Sequence, residues 1–338
     1  MENRYHRQIQ LPSFGQEKQD NLSKQKVLIV GCGGLGCPVA MYLSRAGVHS
    51  LGLVDADKVD ITNLHRQVLF SEVDIGTFKV DAAKNALLSG NSQLTVDVFK
   101  ERLNTQNYQS IISAYDVVVD GSDNFETRYL VNDACVLLNK PLVYGAANGI
   151  EGQVAVFNVN GSGNLRDLFP EIPNAGTIQN CEEAGVLGVT TGVIGGLMGL
   201  EVIKVITGLG KPLVNQLLQF DGITGRTYFV QYTKTENSVI EAIVPLIQAS
   251  WMEYHEQYRD AILIDVRTNE ERNDSTIVSV HIPLSELPSR ASELPQDKQC
   301  VFFCKTGQRA QQAARIAAKY LNQPPIVIVD DFAMMPLG

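Results

Sequence analysis

The chain has 338 residues, of which 44% are hydrophobic and 19% are charged, and its formal net charge is −9 at pH 7. This length predicts about two domains, and the composition excludes an intrinsically disordered chain. The negative net charge argues against a general binder of nucleic acids or anionic membranes, because such proteins carry a basic surface. Any anionic ligand must therefore be held by local cations.

The N-terminal segment and the cysteines indicate a compartment. The first residues contain no apolar core, so no signal peptide is predicted. The longest largely apolar run, Gly185 to Leu200, is too short to span a bilayer and predicts a buried helix. The six cysteines form no Cys-x-x-Cys pair. Such a chain keeps its thiols reduced in the cytosol, so we expect a cytoplasmic protein.

Strand and helix patterns alternate through the first half of the chain. Predicted strands cover residues 27–30, 50–54, 94–99, 117–119 and 142–146, and predicted helices cover 35–46, 76–89, 105–113 and 124–138. This order is typical of a Rossmann-like α/β domain with a mainly parallel sheet. A strand at 153–158, a helix at 189–206 and a hairpin within 217–231 follow.

A polar stretch after the hairpin predicts a linker. The first predicted domain covers residues 1–235, the linker 236–242, and a second, small α/β domain 243–338. Strands at 262–264, 300–303 and 326–329 and a helix at 308–321 define the second domain.

A glycine-rich loop lies between the first strand and the first helix of the sheet. Its sequence, Gly31-Cys-Gly33-Gly34-Leu-Gly36, is typical of loops that bind a nucleotide phosphate at a helix N-terminus. Asp55, at the end of the second strand, is suited to bind ribose hydroxyls. The loop alone does not distinguish NAD from ATP, and a tight turn without a ligand also fits.

Charged residues at later strand ends favour ATP. Arg66, Lys79 and Asp123 follow strands or begin helices, at the sheet edge where ligands of such folds bind. A dinucleotide needs one helix N-terminus, whereas a triphosphate carries about four negative charges and needs cations and a carboxylate-held Mg²⁺. Each residue alone fits an ordinary surface charge, but the combination favours ATP.

These motifs resemble, in order along residues 4–231, the adenylating domain of the MoeB/ThiF family, relatives of ubiquitin-activating enzymes. The resemblance runs through Arg4-Tyr-His-Arg7-Gln, the glycine loop, Asn63-Leu-His-Arg66-Gln67, Gly76 to Lys79, Asp120-Gly-Ser-Asp123-Asn124-Phe and Cys181 to Gly188. It implies a homodimer that binds MgATP and adenylates the C-terminal Gly-Gly carboxylate of a ubiquitin-fold sulfur-carrier protein.

The resemblance also implies roles for single residues. The nucleotide-binding set is Gly31, Gly33, Gly34, Gly36, Asp55, Asp57, Asn63, Arg66, Gln67, Lys79, Asp123 and Asn124. Within it, Asn63, Arg66 and Lys79 meet the phosphates, and Asp123 is the expected Mg²⁺ ligand. Arg7 resembles the arginine that reaches the ATP of the partner subunit. Cys181 is a candidate for a covalent link to the carrier, or for inert packing.

Many members of this family bind structural zinc through two Cys-x-x-Cys pairs. Here Asn164-Leu-Arg-Asp167 takes the place of the first pair, and no second pair follows Phe229. Zinc needs four soft or imidazole ligands in a closed site. We therefore expect no zinc, and the sequence does not show what braces this region.

The second domain resembles a rhodanese domain through Asp265-Val-Arg267, His281-Ile-Pro283 and Cys304-Lys-Thr-Gly-Gln-Arg309. A cysteine between a strand and a helix N-terminus, near Lys305 and Arg309, can carry a thiolate or a persulfide anion. A buried strand-end cysteine is the alternative. The usual glycine-rich turn and the final Gly-Gly-aromatic segment are not found, so a docking role without sulfur transfer stays open.

The two resemblances together predict an adenylyltransferase and sulfurtransferase. A Cys304 persulfide, loaded by a donor such as a cysteine desulfurase, converts the carrier into a thiocarboxylate for molybdopterin or thiamin thiazole synthesis. The alternatives are a same-fold enzyme that adenylates a peptide or tRNA, a nicotinamide oxidoreductase, and a binding module with inactive sites. No hydride-transfer site is recognisable, and the acidic charge argues against tRNA.

Overall fold

The computed structural model describes residues 4–170, 185–235, 240, 242–243, 246–272 and 278–330 of the chain. These residues form two compact units, of which the first ends at residue 241 and the second contains the described residues from 242 onward. Each unit has its own sheet.

An eight-stranded sheet forms the centre of the first unit. Its strands are β1 Lys26–Val30, β2 Ser50–Val54, β3 Thr95–Phe99, β4 Val117–Asp120, β5 Leu142–Asn148, β6 Glu151–Phe157, β7 Gln216–Asp221 and β8 Arg226–Gln231. The helices are α1 His6–Ile9, α2 Gly15–Lys24, α3 Gly36–Ala46, α4 Lys79–Gly90, α5 Tyr108–Ile112, α6 Phe125–Leu137, α7 Leu165–Leu168 and α8 Gly188–Thr207. Short 3-10 turns lie at Ile61–Asn63 and Glu72–Asp74.

The strand order, β3-β2-β1-β4-β5-β6-β7-β8, confirms the predicted Rossmann-like class. The strands from β3 to β5 pair in parallel, and β6, β7 and β8 extend the sheet by antiparallel pairing. Val30 of β1 pairs with Val54 of β2 on one side and with Asp120 of β4 on the other. The strand order reverses here, and ligands of such sheets bind at the carboxyl ends beside this point.

The inner strands are apolar on both sides because helices cover both faces of the sheet. Residues 27–30 of β1 are at most 3% exposed. The helix α8 packs on α3, β5 and β6 through its fully buried Ile194, Met198 and Val202. Gly195 allows the close approach to α3, since a Cβ there would lie 2.4 Å from Cγ of Pro38.

Among the described helices, α8 alone is long and apolar enough to cross a membrane. The apolar run identified in the sequence ends at Leu200 and is shorter than the observed helix, which continues to Thr207. Its buried Glu201 pairs with Lys204 at 2.6 Å, and a carboxylate is costly in lipid. This pairing and the packing on the sheet are typical of the central helix of a folded domain.

Some elements differ from the sequence prediction. The sequence does not predict α2, because this helix is polar and buries only Gln19 and Leu22. The helix α4 starts at Lys79 rather than at residue 76. Gly76 has a φ of 84° and donates its N–H to the carbonyl of Val59, so the chain turns there before the helix begins.

The second unit contains a five-stranded parallel sheet, which confirms the predicted small α/β fold. Its strands are β9 Ile247–Ala249, β10 Ile262–Asp265, β11 Val280–His281, β12 Cys300–Phe303 and β13 Ile326–Ile328, in the order β11-β10-β12-β13-β9. The helices are α9 Trp251–Gln257, α10 Asn269–Arg272, α11 Leu287–Arg290 and α12 Gln308–Ala317, with a 3-10 turn at Ala291–Glu293. Phe302 and Phe303 belong to two separate apolar clusters, because their side chains point to opposite faces of β12.

A polar network occupies the place where the resemblance implies the first pair of zinc ligands. The Arg166 guanidinium contacts both oxygens of Asp133, with Nε–Oδ1 and Nη2–Oδ2 distances of 2.8 and 2.7 Å. One oxygen of Asp167 accepts from the N–H of Asn164 at 2.8 Å. The other accepts from the N–H and the hydroxyl of Thr235 at 2.6 and 2.9 Å. Asp167 therefore ties α7 to the segment that follows β8.

The donor set of this network does not fit zinc. Its possible metal ligands are the carboxylates of Asp133 and Asp167, with no thiolate or imidazole, and hydrogen bonds engage all four carboxylate oxygens. In the described parts of the chain, no group of three or more His, Cys, Asp or Glu side chains is placed to hold a metal ion. Hydrogen bonds and the Arg166–Asp133 ion pair therefore connect the segments of this region.

This polar network predicts that the stability of the first unit depends on Asp167 and not on zinc. Asp167→Ala removes the acceptor of the two bonds from Thr235. We expect the free energy of unfolding to fall by about 1–2 kcal/mol, at the lower end for charged hydrogen bonds because the site is partly exposed. Thermal and urea unfolding, with and without EDTA, measure both effects.

The control is Lys234→Ala, which changes an exposed neighbour and should unfold as the native chain does. A lower melting temperature in EDTA, accompanied by the release of stoichiometric zinc, would contradict the prediction that the polar network stabilises this region without zinc.

Candidate functional site

A cavity opens at the carboxyl edge of the parallel strands, where the strand order reverses. Its wall is built from the glycine loop after β1, the turns after β2, β3 and β4, and the first turns of α4 and α6. The predicted nucleotide-binding residues in this wall are Gly31, Gly33, Gly34, Asp55, Asp57, Asn63, Arg66, Gln67, Lys79, Asp123 and Asn124. The fold thus gathers residues that lie far apart in the sequence.

The glycines of the loop divide into two kinds. Gly31 has a φ of 91°, and a Cβ on Gly36 would lie 1.9 Å from the carbonyl oxygen of Gly31. Gly36 is outside the cavity wall and packs against the loop itself. Beside Gly33, in contrast, the nearest atom to an added Cβ is Nε2 of Gln67 at 3.9 Å. Gly31 and Gly36 therefore allow backbone packing, and Gly33 leaves room for a ligand.

Asp55 fixes the glycine loop to the turn after β2. Its Oδ2 accepts from the N–H of Cys32 and its Oδ1 from the N–H of Asp57, both at 2.8 Å. Burial raises the pKa of Asp55, and the charge of Lys79 opposes that rise. Each oxygen keeps a lone pair, so this bracing role is compatible with the predicted ribose contact.

Lys79 is a buried cation with a defined position in the cavity. Its Nζ lies 2.9 Å from Oδ2 of Asp57, and its side chain is 9% exposed. Burial acts to lower the pKa of Lys79, but the carboxylates of Asp55 and Asp57 more than offset it, and the pKa lies above its ordinary value. The ammonium group therefore stays charged at neutral pH.

Arg66 and Gln67 follow the 3-10 turn at Ile61–Asn63. The Nη1 of Arg66 donates to the carbonyl oxygen of Thr62 at 3.0 Å, which leaves other N–H groups of the guanidinium for a ligand. Gln67 is buried in the cavity wall, and its Oε1 has no hydrogen-bond partner among the described residues. A buried unpaired acceptor is costly, so this oxygen is suited to accept from a ligand.

Asp123 and Asn124 lie at the start of α6. Oδ1 of Asn124 caps the helix by accepting from the N–H of Thr127 at 2.9 Å, and its Nδ2 donates to Asp123 at 3.3 Å. Asp123 is exposed in the cavity wall. Mg²⁺ is commonly bound by one or two carboxylates together with phosphate oxygens and water, so a single aspartate here fits that ion.

The cavity wall also contains residues that the sequence analysis missed. Arg102 follows β3, and its Nη2 lies 3.9 Å from Oδ1 of Asp57. Arg128 of α6 is buried, and its Nη2 donates to the carbonyl oxygen of Ser122 at 3.0 Å. The strand-end argument that selects Asp55 also selects Arg102. No comparable signal marks Arg128, because its position depends on the packing of α6.

Besides Gly36, two predicted site residues of the first domain are not among the described residues of this wall. Arg7 is exposed on α1, and its predicted contact is with the ATP of a partner subunit. Cys181 lies outside the residues that the structure describes.

The predicted sulfur site lies in the second unit. Cys304 directly follows β12 and is 1% exposed, and α12 begins just after its loop. Arg309, in the first turn of α12, interacts with the Cys304 side chain and pairs with Glu271 at 2.6 Å. Lys305 is exposed. Cys300 on the same strand is a core residue, and burial raises its pKa to about 11.

The sequence comparisons extend over both units. The ThiF family profile matches residues 5–239, and the rhodanese-like domain profile matches residues 249–331. The crystal structure of E. coli MccB with ATP aligns with a TM-score of 0.62 at 25% identity, over 70% of this chain and 74% of that one.

Curated relatives show the same similarity. Adenylyltransferase and sulfurtransferase MOCS3 of Anopheles gambiae is 37% identical over 362 residues, which cover 95% of this chain and 82% of that protein. Sulfur carrier protein adenylyltransferase of Thermus thermophilus is 48% identical over 65% of this chain and 83% of its own length. Adenylyltransferase and sulfurtransferase MOCS3-1 of Zea mays is 48% identical over 68% of this chain, which spans about half, 49%, of the maize protein.

The two kinds of glycine predict different outcomes for the same substitution. Gly36→Ala places a methyl group against the Gly31 carbonyl, and we expect the free energy of unfolding to fall by about 1–3 kcal/mol. Gly33→Ala has space, so its stability should stay within about 0.5 kcal/mol of the native value while nucleotide binding weakens. Urea unfolding and calorimetric titration with ATP measure these effects. A stable Gly36→Ala chain, or a Gly33→Ala chain that binds ATP normally, would contradict this assignment.

Proposed function

The chain belongs to the ThiF family and carries a C-terminal rhodanese-like domain, and from this premise we propose that it adenylates a ubiquitin-fold sulfur-carrier protein and then transfers sulfur to it. The observation that carries the proposal is the cavity of the first unit, which joins the glycine loop to Arg66, Lys79 and Asp123. A triphosphate needs these groups, and a dinucleotide does not. The activities named for the MOCS3 relatives support both steps.

The first step needs charge neutralisation rather than a general base. A C-terminal carboxylate has a pKa of about 3.5, so it is an anion at neutral pH. It attacks the α-phosphorus of ATP, the bond to pyrophosphate breaks, and the products are carrier-CO-AMP and pyrophosphate. The barrier is the repulsion between two anions. Positive charge from Arg66 and Lys79, together with alignment of the reactants, lowers it.

Lys79 can serve the phosphates while it stays bonded to Asp57. Its ammonium group has three donors, and Asp57 accepts one of them at 2.9 Å. Two donors are left for phosphate oxygens. Mg²⁺, when bound, neutralises phosphate charge and stabilises the leaving pyrophosphate, and Asp123 is the residue that would hold it.

The second step moves sulfur from Cys304. A donor such as a cysteine desulfurase loads this residue as a persulfide, whose terminal sulfur attacks the acyl carbon. AMP leaves, and an acyl disulfide joins the carrier to Cys304. A thiolate, from Cys181 or from an external thiol, then attacks the Cys304 sulfur. The carrier departs as a thiocarboxylate, and a further thiol reduces the disulfide that remains on Cys304.

The same proposal specifies partners and a compartment. The substrate is a carrier that ends in Gly-Gly, and its thiocarboxylate enters molybdopterin or thiamin thiazole synthesis. A homodimer brings Arg7 of one subunit to the ATP of the other. The reaction needs neither nucleic acid nor membrane, and its thiol chemistry suits the reducing cytoplasm.

ATP–pyrophosphate exchange tests the first step. We expect exchange that requires a ubiquitin-fold carrier ending in Gly-Gly. Lys79→Ala should lower the exchange rate by about 100-fold, the size typical of a lost charge-stabilising donor. Lys84→Ala, on the same helix but outside the cavity wall, should keep the native rate.

The outcomes separate the alternatives. Exchange that requires a short peptide or tRNA instead of a carrier would replace the proposed substrate. Binding of a nicotinamide dinucleotide without binding of ATP would contradict the proposal as a whole.

Thiocarboxylate formation tests the second step. Cys304→Ser should leave pyrophosphate exchange unchanged and abolish formation of the carrier thiocarboxylate, because the serine oxygen cannot carry a persulfide. The mass of the carrier, measured after incubation with ATP, a persulfide donor and an external thiol, reports the product. Cys181→Ser separates the two routes of disulfide cleavage, since it should block only the reaction without external thiol. Formation of the thiocarboxylate by the Cys304→Ser variant would show that Cys304 does not hold the transferred sulfur.

A further inference from the structure

A continuous series of polar contacts connects the sheet of the second unit to Cys304, and Glu271 is its central member. The series runs from the Asp265–Arg267 pair at the end of β10, through α10, to Arg309 in the first turn of α12. We infer that Glu271 is a positioning residue that holds the Arg309 guanidinium at Cys304. The inference rests on the proposed role of Cys304 as the sulfur-carrying residue.

The series begins at a rigid anchor. The guanidinium of Arg267 bonds to Asp265 with Nε–Oδ1 and Nη2–Oδ2 distances of 3.0 and 2.7 Å. The two side chains are 6% and 0% exposed. The carbonyl oxygen of Arg267 accepts from Nε2 of His281 at 2.9 Å, which joins β11 to the same point. A buried bidentate pair therefore fixes the backbone from which α10 starts.

Glu271 is held from both sides. The N–H of Thr268, the residue after Arg267, donates to Oε2 of Glu271 at 3.0 Å. Arg309 donates through both terminal nitrogens, from Nη1 to Oε2 at 2.6 Å and from Nη2 to Oε1 at 2.8 Å. The hydrogen bonds from Arg309 lower the pKa of Glu271 to about 2, so the carboxylate is ionised at neutral pH. The plane of this carboxylate therefore sets the plane of the guanidinium.

Arg309 extends this series of contacts to the Cys304 side chain. The hydrogen bond to Glu271 raises the pKa of Arg309, and the contact with the Cys304 side chain adds to the rise. Lys305, the other cation of the loop, is exposed and lies on a flexible stem. A guanidinium that is already fixed loses little rotamer freedom when it bonds a thiolate or persulfide anion.

Glu271 has two opposite influences on an anion at Cys304. Its negative charge repels the anion, while its hold on Arg309 keeps a positive charge beside it. Arg309 is the group that interacts with the Cys304 side chain, so we expect positioning to prevail over repulsion. The titratable and charged groups on the surrounding elements are Cys300 on β12, Lys305, Arg309 and Arg315 after it, Glu270, Glu271 and Arg272 on α10, Asp265 and Arg267 at the end of β10, and His281 on β11.

The pH dependence of Cys304 alkylation in the full chain tests the inference, because the two influences predict opposite shifts. Iodoacetamide reacts with the thiolate, and peptide mass spectrometry follows the peptide that contains Cys304. In Glu271→Ala we expect the midpoint to rise by about one pH unit, which means about tenfold slower alkylation well below the midpoint. Arg309→Met should raise it at least as far, and the double variant no further.

Glu270→Ala is the matched control, since Glu270 is an exposed neighbour on the same helix. It should keep the native midpoint. Glu271→Gln keeps one acceptor oxygen for Arg309, so its midpoint should lie between those of the native chain and Glu271→Ala. This variant decides the question if Glu271→Ala loses the native circular dichroism spectrum.

A midpoint that falls or stays unchanged in the Glu271 variants overturns the inference. A double variant whose shift equals the sum of the single shifts also overturns it, because Glu271 would then act independently of Arg309. The assay uses no carrier, ATP or sulfur donor, so its failure is distinguishable from a failure of sulfur transfer, which Cys304→Ser reports.

Discussion

Contact between three glycine backbones at the middle of the first sheet determines where the rest of the site lies. A Cβ on Gly31 would lie 2.8 Å from the carbonyl oxygen of Gly121, and a Cβ on Gly36 would lie 1.9 Å from that of Gly31. The loops after β1 and β4 and the start of α3 therefore touch without side chains between them. Because of this contact, the N-termini of α3 and α6 share one cavity, and an anionic ligand there faces positive helix ends from two directions.

Much of this arrangement can be predicted from the sequence, because parallel strands place their carboxyl ends at one edge. That rule alone brings Asp55 and Asp123 to the glycine loop, and the structure places them there. It does not reveal contacts that depend on side-chain reach, such as that between Glu271 and Arg309, which are far apart in the chain and meet only after packing. Nor does it reveal α2, whose few buried residues leave no apolar periodicity.

Three ion pairs of the chain differ in exposure, and their roles differ accordingly. In Arg267–Asp265 the side chains are 6% and 0% exposed, and in Arg166–Asp133 they are 26% and 16% exposed. Both pairs are bidentate, but Arg166–Asp133 joins α7 to α6, whereas Arg267–Asp265 fixes the chain where it leaves β10. In Lys79–Asp57 the lysine is 9% exposed and the aspartate 53%. This pair has one partner open to the cavity, so it can exchange contacts with a ligand.

The partly exposed Lys79–Asp57 pair makes the cavity favour ligands of high negative charge. The carboxylate of Asp57 already neutralises part of the positive charge of Lys79. A small anion such as sulfate or inorganic phosphate therefore gains little by approaching the ammonium group. A polyphosphate carries enough charge to draw on Lys79 and on the arginines of the wall at the same time. The abundant simple anions of a cell are therefore weak competitors for this site, although Lys79 is charged at neutral pH.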